Sequence, residues 1–131
     1  MAGARWAQDE LLTKNAKADV RVFVIWFRMY PGDAESKWPS QLLTDSRAEH
    51  RWDEPKSAGR WFMTNLNSLR PSRGGDGVFP QRADALWDSY LLFDRNGAWS
   101  DVPGGLLSWG YTVMRTRPQL QRDFQFAIAR Q

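Results

Sequence analysis

The chain contains no cysteine and only one histidine, His50, among its 131 residues. The first absence excludes a disulfide framework, a thiolate nucleophile and dithiol redox chemistry. The two together argue against a transition-metal centre, which normally recruits several His or Cys ligands. No EF-hand loop is present either, although a carboxylate-only site for Mg²⁺ or Ca²⁺ stays open; no metal and no cofactor are expected. No apolar run approaches the roughly 18 residues that a membrane span needs. Residues 1–9 lack the apolar stretch of a secretory signal, which makes the cytoplasm the default location and leaves the periplasm open if a leader has been removed.

An excess of either charge is also missing. Lys and Arg number 18 against 15 Asp and Glu, a net charge of +3. The longest basic stretch, Arg70-Pro-Ser-Arg73, holds two cations and is followed by Asp76. Binding to a polyanion rests on several clustered cations that release counterions, so the charge pattern argues against a nucleic-acid partner. Gly74, Gly75 and Gly77 do not form a phosphate-binding loop, because the Gly-Lys-Ser/Thr ending and the strand–loop–helix context are absent. Arg70, Arg73 and Arg82 leave an anionic partner open.

Aromatic residues are what the chain has in quantity: 8 Trp, 7 Phe and 3 Tyr, within a hydrophobic share of 42%. That is enough apolar material for one self-sufficient core and too much for a disordered chain. Residues 5–17 carry Trp6, Leu11, Leu12 and Ala16 at loosely helical spacing, which predicts a peripheral N-terminal helix within an extension over 1–19. Val20 to Arg28 is β-branched and aromatic at nearly every position, as expected of a strand covered on both faces. Asp33 can cap a helix through Leu43, with Pro39 kinking or restarting it. Ser46–Trp52 reads as a second strand.

Asp53 and Pro55 then mark the start of another helix, along which Ala58, Trp61, Phe62 and Leu66 form one apolar stripe. Residues 67–83 have no period and read as a long functional or mobile loop. Ala85–Phe93 and Leu106–Met114 predict two strands turned by Asn96-Gly97. Thr116 and Gln119 have the spacing of a capping box. Leu120, Phe124 and Ile128 give the last helix its buried face.

The order is therefore helix, β, α, β, α, β-hairpin, helix. Trp52-Asp-Glu-Pro55, Tyr90-Leu-Leu-Phe93 with Asn96-Gly97, and Thr116 to Ile128 resemble the corresponding stretches of the thioredoxin-like superfamily. The resemblance covers roughly residues 20–130. It implies one α/β domain over 20–131, with a central mixed sheet, a parallel β-α-β unit, a C-terminal hairpin and a closing helix. Both chemical hallmarks of the family are missing. The turn that would open with Cys-x-x-Cys is Met29-Tyr-Pro-Gly-Asp-Ala34, and the position of the cis-proline before the hairpin holds Asp88. The chain resembles a redox-inactive branch, and a fold carries no activity by itself.

The resemblance implies that the turn after the first strand and the residue before the hairpin lie side by side. That would gather Tyr30, Asp33, Lys37, Trp38, Trp87 and Asp88 on one face for a ligand or partner. A carboxylate beside aromatics can acquire a raised pKa and act as acid or base. In the plainer role Asp33 caps a helix and Asp88 bonds a loop amide. His50 would need an orienting carboxylate and a nucleophile to act as a base; otherwise it is a satisfied strand residue. Trp99, Trp109 and Tyr111 form either a stacking surface for a partner or part of the core.

Two functions follow as expectations. The first is a redox-inactive module that binds an unidentified protein or small ligand. The second is a small hydrolase or isomerase using Asp88 or Asp33 as acid or base, with Tyr30 or His50. A homodimer through an exposed edge strand is also allowed.

Overall fold

The computed structural model describes residues 1–131. Helix α1, Ala2–Trp6, runs on without a break as a π-helical stretch over Ala7–Leu12. The helical segment therefore begins earlier and ends sooner than residues 5–17, and it is not peripheral. Leu11 and Leu12 are buried, and Leu11 forms the central cluster with Leu120 and Phe124 of the last helix. Burial of such side chains contributes about 1.5–3 kcal/mol each, which is why a short helix that is marginal in isolation persists here.

Strand β1, Val22–Trp26, pairs in parallel with β2, Ala48–Trp52, from Val22 opposite Ala48 to Trp26 opposite Trp52. The strand is not covered on both faces. Val22, Val24 and Trp26 turn inward, while Phe23 and Ile25 remain 57% and 41% exposed. The crossover between β1 and β2 is not a helix. It forms two short 3-10 turns, Glu35–Lys37 and Ser40–Leu42. Pro39 between them lacks an amide hydrogen and cannot continue a helical ladder.

Helix α2, Ser57–Asn65, starts after Asp53 as read, although Lys56 occupies the cap position in a left-handed conformation with φ 57°. Asp53 still caps the helix: its two carboxylate oxygens accept the amides of Ser57 and Ala58 at 2.9 Å each. Gly59 is buried where the helix meets the 85–86 backbone, and its carbonyl accepts the Leu86 amide at 2.8 Å.

The second sheet is built by β3, Gly75–Asp76, β4, Ser89–Phe93, and β5, Leu106–Tyr111, in the order β3-β5-β4. The antiparallel β4–β5 pair runs from Ser89 opposite Tyr111 to Phe93 opposite Leu106. Its connection is not a tight Asn-Gly turn but the whole of residues 94–105. Within it the Asp94 side chain takes the Asn96 amide, and Gly105, at φ 78°, makes the return. The 67–83 segment is tied down rather than loose. It contributes β3, and the Arg73 amide bonds the Leu107 carbonyl at 2.8 Å.

Helix α3, Arg117–Ala129, closes the chain and buries Leu120 and Phe124. The capping box is not formed. Thr116 Oγ1 donates back to the Thr112 carbonyl at 2.7 Å, and Gln119 reaches into the sheet instead. The fold is α/β, with three helices and two small sheets. No ladder joins β1 to β4, so the single central sheet implied by the resemblance is replaced by a parallel pair and a mixed three-stranded sheet.

Candidate functional site

Asp33 closes the turn it sits in. Its Oδ2 accepts the amides of Met29 and Tyr30 at 2.9 and 2.8 Å. Those two amides, Tyr30 first, hold its carboxyl below the ordinary range, which favours the charged form and suits a turn anchor better than a general acid. Tyr30 is 73% exposed and bonds only through its backbone. Lys37 is exposed at the end of a 3-10 turn.

His50 uses both ring nitrogens. The Trp26 indole N–H donates to Nδ1 at 2.8 Å. An indole is donor only, so Nε2 carries the proton and donates to the Leu43 carbonyl, also at 2.8 Å. The Trp26 ring lies parallel to the imidazole, and Trp38 meets it edge-on. Trp38 thus belongs to the His50 setting on β2. No nucleophile or carboxylate completes a catalytic set there.

Asp88 adopts φ 47°, and its backbone carbonyl accepts the Val113 amide at 2.9 Å. Partial burial raises its carboxyl above the ordinary range, opposed by the terminal ammonium and the Val113 amide. The residue as a whole remains exposed. Its neighbour Trp87 packs edge-on against Tyr111, 5.3 Å between ring centres. Phe79 lies against Tyr111 and Trp109 at 4.6 and 5.8 Å. Trp109 and Tyr111 are thereby partly covered, whereas Trp99 is 60% exposed while packing at a tilt against Trp61 of α2.

One cleft does bring the end of β1 to the approach to β4. It has a volume of about 290 Å³ and is lined by Phe27, Met29, Lys56, Pro80, Arg82, Ala83, Asp84, Ala85 and Trp87. Of the six residues expected on that face, only Trp87 lines it. The signal that could have found Phe27, Lys56 and Arg82 is faint, because each comes from a different segment. No group of three or more His, Asp or Glu side chains is arranged to hold a metal ion.

No family model, curated protein or solved structure matches this chain. The site must be read from its own geometry.

A second constellation escaped the sequence reading. Asp123 on α3 has a fully buried side chain. Arg73 and Arg122 donate to its Oδ1 at 2.7 and 3.0 Å. Burial pushes its carboxyl upward, but hydrogen bonds from Arg122, Arg73 and Ser108 outweigh burial and hold it below the ordinary range. Ser108 is itself buried and lies 3.4 Å from the Tyr90 hydroxyl, which accepts Gln119 Nε2 at 2.6 Å. Burial raises the Tyr90 hydroxyl above its ordinary range, against the opposing bonds from Ser108 and Gln119. The Arg73 guanidinium also stacks 3.9 Å from the Phe126 ring centre.

This chain of contacts joins α3, β4, β5 and the segment before β3. None of its buried side-chain polar atoms lacks a partner, which makes it a fastening rather than an open site. The available signal was Asp123 itself, a charge beside Phe124 on the buried face of a helix, since such a charge requires a partner.

Proposed function

We propose that this chain is a redox-inactive, thioredoxin-like binding module, and that its ligand, a small molecule or an apolar group of a partner protein, occupies the cleft beyond the end of β1. The observation that carries the reading is the composition of that cleft. Aromatic and aliphatic side chains of residues 27–29 and 80–87 converge there, while Asp33 and His50 are engaged elsewhere. Binding sites are commonly concave and mostly apolar with a few polar groups. With no cysteine in the chain, the module is not a dithiol oxidoreductase.

The thioredoxin-like part is supported by the parallel β1–β2 pair and by the antiparallel β4–β5 pair closed by α3. Val20, just before β1, packs on the same cluster as Leu92 near the end of β4. Phe27 and Met29, just past β1, share the cleft with Trp87, just before β4. Titration of isotope-labelled protein with indole tests the cleft. Amide shifts confined to residues 27–29, 56 and 82–87 are expected, and shifts scattered over the surface would overturn the reading.

A hydrolase or isomerase is the second reading, favoured by the raised carboxyl and left-handed backbone of Asp88. Turnover of p-nitrophenyl acetate that is lost in a folded Asp88→Asn protein would put it first. Turnover unchanged by that substitution removes Asp88 as its acid or base.

A further inference from the structure

Resting on the binding reading above, we infer that the occupant of the β1-end cleft is an amphipathic anion: an apolar or aromatic body of small-molecule size carrying one carboxylate or a similar acidic group. Phe27 and Trp87, together with Met29 and Ala85, supply the apolar walls of a cleft of about 290 Å³. Two cations, Lys56 and Arg82, complete the lining, and neither takes part in any ion pair of the protein.

The acids nearby are committed elsewhere. Asp84, the one acidic residue in the lining, lies 3.5 Å from Arg60 on α2. Asp53 gives both carboxylate oxygens to the amides of Ser57 and Ala58. The cleft thus carries two cations free of ion pairs, and one carboxylate that faces Arg60, beside an aromatic wall. A charge near a low-dielectric apolar surface is less screened than one in open water. An arginine also presents the planar fork that pairs with a carboxylate.

The backbone at Lys56 points the same way. Its φ of 57° and ψ of 32° fall in the left-handed region, where glycine or asparagine would be the less strained choice. A lysine held there sets its ammonium 5.8 Å from the centre of the Phe27 ring, at the junction of the apolar wall and the open cleft. Strain of this kind at non-glycine residues clusters at active sites and ligand clamps.

The test compares two probes of nearly equal shape, 4-phenylbutyrate and its neutral amide, by NMR titration of the full chain. The acid should shift Phe27, Met29, Ala85 and Trp87 and bind about tenfold more tightly than the amide, with the difference shrinking as salt rises. Lys56→Asn, which keeps a residue tolerant of the left-handed conformation, and Arg82→Gln should each weaken the acid several-fold and leave the amide unchanged. If acid and amide bind the cleft equally, the anionic inference is overturned and the cleft reading survives. If neither shifts the cleft residues, both are overturned.

Discussion

Arg47 shows how much one side chain can organise. Its guanidinium has five N–H donors, and all five have acceptors. Nε and Nη2 grip the two oxygens of Asp45 at 2.8 and 2.7 Å. Nη1 reaches the carbonyls of Asn15 and Ala18, and Nη2 that of Leu12, each at 2.9 Å. Gln8 assists from the other side, its Oε1 accepting the amides of Thr44 and Asp45. The end of the N-terminal helix is thereby clamped to the turn before β2. Removal of the Arg47 side chain leaves the Asp45 carboxylate with only the residue-47 amide, at 2.9 Å, and takes a second donor from three carbonyls that keep one backbone amide each. Arg47→Ala should lower the unfolding free energy by about 2–4 kcal/mol. Arg47→Lys should recover little of it, since an ammonium is a point charge with three donors. Urea denaturation of the three proteins measures this, and full recovery by lysine would refute the five-donor account. The sequence places this arginine inside the expected strand Ser46–Trp52, and nothing local reveals that its partners lie up to 35 residues away.

The elements meet closely at Gly110 in β5. A Cβ built there would lie 2.2 Å from Thr116 Oγ1 and 2.4 Å from Cε1 of Tyr90. β5 can pass beneath β4 and the start of α3 only because this position has no side chain. Gly110→Ala should therefore cost about 3 kcal/mol through overpacking. Gly104→Ala, where the nearest atom is 3.5 Å away, should stay within about 0.5 kcal/mol of the parent. Thermal melts separate these outcomes, and equal effects would contradict the packing described. The same closeness explains the unformed capping box. Gln119 donates to Tyr90 and to the Trp109 carbonyl, so tertiary partners displace a local one. The 33–43 segment failed as a helix for a local reason instead, because Pro39 removes a donor in its middle. That stop is visible in the sequence.

For the whole molecule, acid is the informative variable. A hydrogen bond from the Arg47 side chain, opposed by burial, lowers the Asp45 carboxyl from its ordinary value of 3.8 to about 2. Asp123 is shifted in the same direction by Arg122, Arg73 and Ser108, against burial. A carboxyl whose folded pKa is depressed stabilises the fold above its unfolded pKa. That stability is lost as pH falls through the folded pKa. Stability should thus hold down to about pH 4 and decline between pH 4 and pH 2, with Asp45 contributing on the order of 1–2 kcal/mol after solvent screening. Asp45→Asn should flatten part of that decline. Chemical denaturation at pH 5, 3.5 and 2.5 checks it, and an identical pH profile in the variant would count against the Asp45–Arg47 pair as its source.

Composition and periodicity alone determined the α/β class, the absence of thiol chemistry, and the approximate positions of β1, β2, the hairpin strands, α2 and the closing helix. These depend on β-branched runs, on apolar stripes and on residues such as Asp53 that act within one turn. Only the tertiary structure decided that the strands divide into two sheets and that one face of β1 stays bare. It also decided that His50 is held between Trp26 and Leu43, and that Asp123 and Arg47 fasten distant segments. The physical reason is common to all four. Each depends on which side chains meet across dozens of residues, and hydrogen-bond geometry and burial at such meetings leave no periodic trace along the chain.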